Sequence, residues 1–146
     1  MPGTPPGPVA ASSFLVEVGG LPGAFFSRVE LPRATVEEIA HRSGGGLASA
    51  TQLSPGQSHY SHLVLSRRLT ASLDLWTWWK QARDGDPGVH REVVVRLLDG
   101  AGVPVMAWRF GSAFPAVHRL SPLDTATHDP VMETVELAFD SMDAGT

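Results

Sequence analysis

The stretch REVVVRLLDGAGVPVMAWRF, Arg91 to Phe110, reads as two strands joined by a tight turn. Arg91 to Asp99 is rich in Val and Leu, Gly100-Ala101-Gly102 interrupts it, and Val103 to Phe110 resumes an extended pattern. The Asp99-Gly100 step is expected to supply the positive φ that tight hairpin turns need. Alternate side chains of a strand share a face. Met106, Trp108 and Phe110 therefore lie on one face, and Val103, Val105 and Ala107 on the other. Both faces are largely apolar, which points to a strand covered on both sides.

Upstream of this hairpin, Ser72 to Arg83 is the one segment with helical periodicity. Leu75, Trp78, Trp79 and Ala82 fall at i, i+3, i+4 and i+7. Leu73 and Trp76 widen the stripe. Ser72 is placed to cap the first turn, and Asp74 to meet the positive end of the helix dipole. Lys80 and Arg83 stand in the last turns, and Gly85 and Pro87-Gly88 end the helix. Each tryptophan can bury about 150 Å² or more. At about 25 cal/mol per Å², that is roughly 3 to 4 kcal/mol each before entropy is subtracted. Such a helix has to dock on a sheet, with Leu75, Trp76, Trp78, Trp79, Trp108 and Phe110 as the expected docking and core residues.

The remaining chain reads as short strands. Phe14, Val16 and Val18 alternate up to Gly19-Gly20; Ala24 to Leu31 and Thr35 to His41 follow, and His59 to Arg67 resumes the pattern. Between them, Ser43 to Gly56 has no clear period and reads as a long loop, a class that is usually functional or disordered. Gly44, Gly45, Gly46, Leu53, Ser54, Pro55 and Gly56 of this loop are candidates for contact with another subunit. Pro115 to Leu120 leads into a turn-rich stretch, Ser121 to Pro130, before a last strand from Val131 to Asp140. In that strand Val131, Val135, Leu137 and Phe139 point one way, and Glu133 is the exception on their face. The sum is a mainly β fold: two packed antiparallel sheets forming a sandwich or barrel, with one flanking helix. The expected organisation is a flexible Pro/Gly-rich arm over residues 1–12, a β domain over 13–142 and a tail over 143–146.

Composition narrows the function. The 146 residues fit one domain, and a net charge of −4 argues against a broad basic face for nucleic acid. With no cysteine, there is no disulfide, thiolate nucleophile or thiolate metal site. No run approaches the ~18 apolar residues of a membrane span. The start, Met1 to Pro8, lacks the charged and apolar regions of a signal peptide, so folding in the cytoplasm is expected. Arginine outnumbers lysine, whose one example is Lys80, as in GC-rich bacterial genomes.

Residue patterns that would carry chemistry are few. His59 and His62 are three apart on an expected strand and so diverge; His41, His90, His118 and His128 are scattered without an HExxH. Asp84-Gly85-Asp86-Pro87-Gly88 faintly resembles a calcium loop, but its twelfth position is Val95 where a bidentate Glu is required. Gly44-Gly45-Gly46 precedes no helix and no Gly-Lys-Ser/Thr, and there is no G-x-S-x-G elbow. Glu37, Glu38, Glu133 and Glu136 are the acids available for an acid–base pair. No catalytic, cofactor or metal site is expected.

Several motifs in order resemble the tail-tube protein family of contractile phages and phage-like injection systems. Leu65-Ser66-Arg67-Arg68-Leu69-Thr70-Ala71-Ser72 is similar to that family's entry to its helix, and Leu73-Asp74-Leu75-Trp76-Thr77-Trp78 to its L-x-L-W-x-W helix. Trp108-Arg109-Phe110 followed by Ala113-Phe114-Pro115 matches a W-x-F-x-x-A-F/W-P signature. Leu123-Asp124-Thr125-Ala126 and Met132 to Ala138 match its final turn and strand, and Leu53-Ser54-Pro55-Gly56 resembles an L-P-G near the end of its long loop. The chain departs at Val29-Glu30-Leu31-Pro32, where the family shows an S-G-L turn, and at Pro130. The resemblance implies a structural subunit without catalysis, six copies to a ring and rings stacked into a hollow tube. Its partners are then copies of itself, sheath and baseplate proteins and payload in the lumen, without nucleic-acid specificity, in a particle assembled in the cytoplasm and released by lysis. A tube-initiating baseplate ring and a type VI secretion tube subunit are alternatives within the class. A glycan- or ligand-binding β-barrel using the tryptophans, and a small hydrolase, are alternatives outside it.

Overall fold

The computed structural model describes residues 7–9, 13–22, 25–42 and 50–146, and among these it contains nine strands and one α-helix. The expected arm at 1–12 falls mostly outside the described residues, as do Gly44, Gly45 and Gly46. In chain order the strands are β1 (Phe14–Val18), β2 (Arg28–Glu30), β3 (Ala34–Arg42), β4 (Thr51–Tyr60) and β5 (Leu63–Arg68). Helix α1 (Asp74–Arg83) and a 3-10 turn (Pro87–Val89) follow, then β6 (Arg91–Leu98), β7 (Pro104–Leu120), β8 (Met132–Ala138) and β9 (Ser141–Gly145).

Seven of the strands make one antiparallel sheet in the order β1-β6-β7-β8-β5-β2, with β9 beside β7. Among the described residues its ends are free, so the sheet is not a closed barrel. Among the described residues β3 and β4 pair only with each other, as a separate two-stranded ribbon.

The hairpin read from Arg91 to Phe110 is present, with Val95 opposite Trp108 and Val93 opposite Phe110. Its turn works differently from the expectation. Positive φ falls on Gly102 (80°), not on Gly100, and Asp99 Oδ1 accepts from the amides of Ala101 and Val103 at 2.9 Å. A side-chain acceptor two residues before the amide substitutes for the Asp-Gly backbone geometry.

β7 runs on well past Phe110. It bends at Gly111-Ser112, where Ser112 has φ 53°, and changes partners there. Its first half pairs with β6 and β9, its second half with β8. Pro115 is tolerated beyond the end of β6 and beside a register shift against β8, where a missing amide costs no ladder bond. A left-handed non-glycine residue carries backbone strain of about 1 kcal/mol or more. Ser112→Gly is therefore expected to leave Tm unchanged or raise it by ~1–3 °C in calorimetry, and Ser112→Val to lower it.

Three boundaries differ from the sequence reading. The run from His59 to Arg67 is broken at Ser61-His62, because Tyr60 and Leu63 serve different sheets. Leu53, Ser54, Pro55 and Gly56 lie in β4 and not in a loop. On a two-stranded ribbon every strand is an edge, so Pro55 sacrifices little, and Gly56 leaves room for Ile39, whose Cδ1 would lie 2.8 Å from an added Cβ. The expected tail contributes Asp143, Ala144 and Gly145 to β9.

α1 begins at Asp74, with Leu73 rather than Ser72 at the capping position and no side-chain cap. Leu75 and Trp78 are buried, and Trp78 Nε1 donates to the Val89 carbonyl at 2.7 Å. They join Val16, Val18, Val93, Val95 and Phe110 from one half of the sheet and Leu63, Leu65, Val135 and Leu137 from the other in a single apolar cluster. Leu73 and Trp76, expected to extend the buried stripe, are 67% and 39% exposed.

Candidate assembly surface

The odd charge on the β8 apolar face is where the core becomes polar. Glu133 is 2% exposed, and both of its oxygens are engaged. Oε1 accepts from Arg67 Nε at 2.9 Å and Oε2 from His118 Nε2 at 2.8 Å. The guanidinium of Arg67 also forks onto Asp74 at the start of α1. Burial disfavours the charge on Arg67, but its hydrogen bonds to Asp74 and Glu133 outweigh that and raise its pKa. Burial likewise opposes ionisation of Asp74, yet Arg67 and the Leu75 amide prevail and hold its carboxyl below the usual range. Trp76 covers this cluster, its ring edge-on to His118 at 5.4 Å and stacked on Trp79 at 5.1 Å. Arg67, Asp74, Glu133 and His118 thus tie four elements, β5, α1, β8 and β7, into one cross-link. Its bonds are all internal, which makes it a structural device.

The motifs weighed for ligand chemistry have local roles. Asp86 caps the 3-10 turn by accepting from the Gly88 amide at 2.8 Å, and Asp84 pairs with Arg83. His59 lies 3.2 Å from Glu37, and His62 lies 3.5 Å from Glu136. Among the described residues no group of three or more His, Asp or Glu is placed to hold a metal ion.

What the molecule offers outward is unpaired strand. β1 and β9 flank a four-stranded unit, β1-β6-β7-β9, and each has one side without a partner among the described residues. Ser13 and Gly19 bond across to β6, so the alternating Phe14 and Val16 present their amides and carbonyls to the open side. The ribbon is the second unpaired feature. Every residue of β3 is exposed, and in β4 only Ser54 and Gly56 are partly covered. By strand alternation Ile39, His41, Ser54 and Gly56 share one face and Ala40, Leu53 and Pro55 the other. Ile39 is 42% and Leu53 64% exposed, so neither face is finished. A lone two-stranded ribbon is at best marginal in water.

Of the residues read as candidate interface, Leu53 to Gly56 lie on this ribbon. Of those read as core, Leu75, Trp78 and Phe110 are buried, Trp79 and Trp108 are partly so, and Trp76 is at the surface. The ionic cluster and the open edges are not among the sequence candidates. Glu133 alone carries a signal, as a charge on an otherwise apolar face.

A family model described as T4-like virus tail tube protein gp19 matches residues 10–143. No curated protein matches the chain in sequence. Among solved structures, the 6-fold symmetrised anti-feeding prophage (AFP) baseplate contains a chain 23% identical, with TM-score 0.80 over 95% of this chain and 96% of that one. A chain of the sheath-tube complex of the extracellular contractile injection system PVC is 21% identical, with TM-score 0.80 over 94% of this chain and 91% of that one. Hcp1 from Salmonella typhimurium is 18% identical, with TM-score 0.58 over 90% of this chain and 83% of that one. At such identities the structural likeness is one of fold.

Proposed function

Because this chain belongs to the T4-like virus tail tube protein family, we propose that copies of it close head to tail into six-membered rings, which stack as the inner tube of a contractile injection particle. The observation that carries the ring is the pair of open edges. β1 and β9 are both five residues long and lie at opposite ends of the four-stranded unit. Successive strands of that unit alternate in direction, so β9 of one copy meets β1 of the next antiparallel, and the sheet continues around the ring. Such a contact is heterologous and closes when the rotation allows it. It also removes the exposed edges that would otherwise invite aggregation.

In this reading the sheet folds at Gly111-Ser112 into two packed halves, a sandwich with α1 on its flank. The ribbon, with the candidate interface residues Gly44, Gly45, Gly46 and Leu53 to Gly56, reaches a neighbouring copy. The role is structural, without catalysis or cofactor. The AFP baseplate and PVC sheath-tube complexes support sheath and baseplate proteins as partners, in an extracellular contractile injection particle. No described helix is long and apolar enough to cross a membrane. The similarity to a baseplate chain favours one second reading, a ring that starts the tube rather than extending it.

Electron microscopy of the purified protein tests both. Long hollow tubes are expected of the tube subunit, and isolated rings of the initiator. A folded sample that stays monomeric at high concentration, and is missing from sheathed particles of its host, overturns both.

A further inference from the structure

The arm ahead of β1 carries prolines at Pro2, Pro5, Pro6 and Pro8. Pro2, Pro5 and Pro8 recur at a period of three. A polyproline II helix has three residues per turn, so these rings fall on one edge of it. Each proline fixes its own φ near the value that helix needs, so little freedom is lost when such a segment is held. Proline has no amide donor, and residues 1–9 carry no charged side chain, so the segment offers mainly carbonyl acceptors. Among the described residues the arm stands off its own subunit. Gly7, Pro8 and Val9 are exposed, and no atom lies within 4 Å of a Cβ placed on Gly7.

A hollow of matching chemistry opens beyond the end of β1. Pro22, Phe25, Phe26 and Ser27 form one wall, and Arg68 and Thr70 the other. Phe25 is 78% exposed. Phe26 is fixed beneath it, packed on the core cluster, with the Arg67 guanidinium 5.9 Å from its ring centroid. Aromatic rings beside a hydrogen-bond donor make a seat for a polyproline segment: the rings pack on the prolines and the donor meets a carbonyl. The donors here are the exposed Arg68 guanidinium and the Thr70 hydroxyl. Thr70 Oγ1 already accepts from the Ser72 amide at 3.2 Å, which leaves its proton free to donate. None of the lining residues belongs to β1 or β9, so ring closure leaves the hollow open. The ribbon leaves β2 and β5 at their other ends.

Chain direction decides whose arm enters. The arm joins β1 at Phe14, and the hollow starts past Val18, at the other end of that strand, ~14 Å away at about 3.4 Å per residue. To reach its own hollow the arm would have to turn back along the open edge of β1, which in the ring is taken by β9 of the neighbouring copy. In a stack of rings all copies point the same way, so the Phe14 end of one ring faces the Val18 end of the next. An arm that continues outward from β1 therefore meets the hollow of a copy in the next ring. At about 3.1 Å per residue, Pro8 then lies ~19 Å from Phe14 and Pro2 ~37 Å, enough to cross the boundary and fill the hollow. We propose that residues 1–9 of one copy dock as a polyproline II helix between Phe25, Phe26, Arg68 and Thr70 of a copy in the next ring, and so tie successive rings together. This rests on the ring reading above.

The cysteine-free chain allows a direct test. Thr4→Cys combined with Ser27→Cys places one thiol on the arm and one on the wall of the hollow. Oxidised as assembled tubes and run without reductant, this variant should give a ladder of disulfide-linked species extending past six subunits, whereas each single variant should stop at dimers. A ladder that ends at six links copies around one ring. Loss of both thiols at monomer mass places the arm on its own subunit. Tubes without cross-links leave the hollow empty. Each of these three results overturns the docking. The contribution to tube growth is read separately. Deleting residues 2–9 should leave the melting curve unchanged and shorten tubes fivefold or more. Phe25→Ala should do the same, and the two together should shorten them no further than either alone. Tubes of parental length from the deletion, or shortening that multiplies in the double variant, overturns the role in stacking. Failure of the cysteine-free parent to form tubes instead overturns the ring reading, and this one with it.

Discussion

Replacing residues 35–59 with a short Gly-Ser turn should leave a folded monomer and abolish rings and tubes. Ala34 and Tyr60 are register partners, so a short turn bridges them without moving either. Among the described residues the excised ribbon pairs with nothing but itself, and keeping Tyr60 preserves its ring contact with Phe139 at 5.6 Å. The apolar cluster draws no residue from β3 or β4, so the core has nothing to lose. Assembly does. Val36, Ile39 and Leu53 are 49%, 42% and 64% exposed, and burying such a side chain fully is worth about 1.5 to 3 kcal/mol. Every copy would forfeit several such contacts. Circular dichroism and light scattering should show an intact β fold of monomer mass, with Tm within a few degrees of the parent, and micrographs should be empty of tubes. Tubes of ordinary length from this variant would remove the ribbon from the assembly mechanism.

Arg67→Ala should cost far more than any surface substitution. It strips the buried Glu133 of its main partner and leaves Asp74 unpaired. Breaking one side of a buried ion pair costs about 3 to 5 kcal/mol, whereas replacing both sides with apolar groups of similar size is often near neutral. For a chain of this length 1 kcal/mol corresponds to roughly 2–4 °C. The single variant should therefore melt about 10 °C lower or fail to accumulate. The double variant Arg67→Met with Glu133→Leu should recover most of the loss, since Asp74 is partly solvated and can keep its charge without Arg67. Thermal melts of Arg67→Met, Glu133→Leu and the double form a cycle. If the double melts as low as the sum of the singles, the cluster is not a coupled pair. A pH series checks the Asp74 arm. Its carboxyl is held below the usual range in the fold. The stability it contributes is present above its unfolded value of about 3.9 and is lost as pH falls through the folded value. Asp74→Asn should flatten that acid limb.

The elements legible in the chain are those whose signal is local. Leu75, Trp78 and Ala82 repeat at a helical period, and Met106, Trp108 and Phe110 repeat at a strand period, whatever packs on them. The family motifs lie on the same stretches, from the entry to α1 through β8. Where neighbours matter, the reading weakens. Pro55-Gly56 carries every local mark of a loop, and only its place on a free-standing ribbon makes a strand affordable there. Ser72 is a better intrinsic cap than Leu73, but the chain enters α1 one residue later, with Asp74 of the first turn paired to Arg67 from β5.

The sequence by itself determined a mainly β domain with one tryptophan-rich helix and a tight hairpin, since each depends on residues within a few positions of one another. Only the tertiary structure decided that β7 bends to serve both halves of the sheet, that Arg67 meets Glu133 across 66 residues, and that β1 and β9 end, among the described residues, as open, antiparallel-matched edges. Strand partners and buried charge pairs are chosen by contacts distant in the chain, and a local period carries no information about which distant segment will supply them.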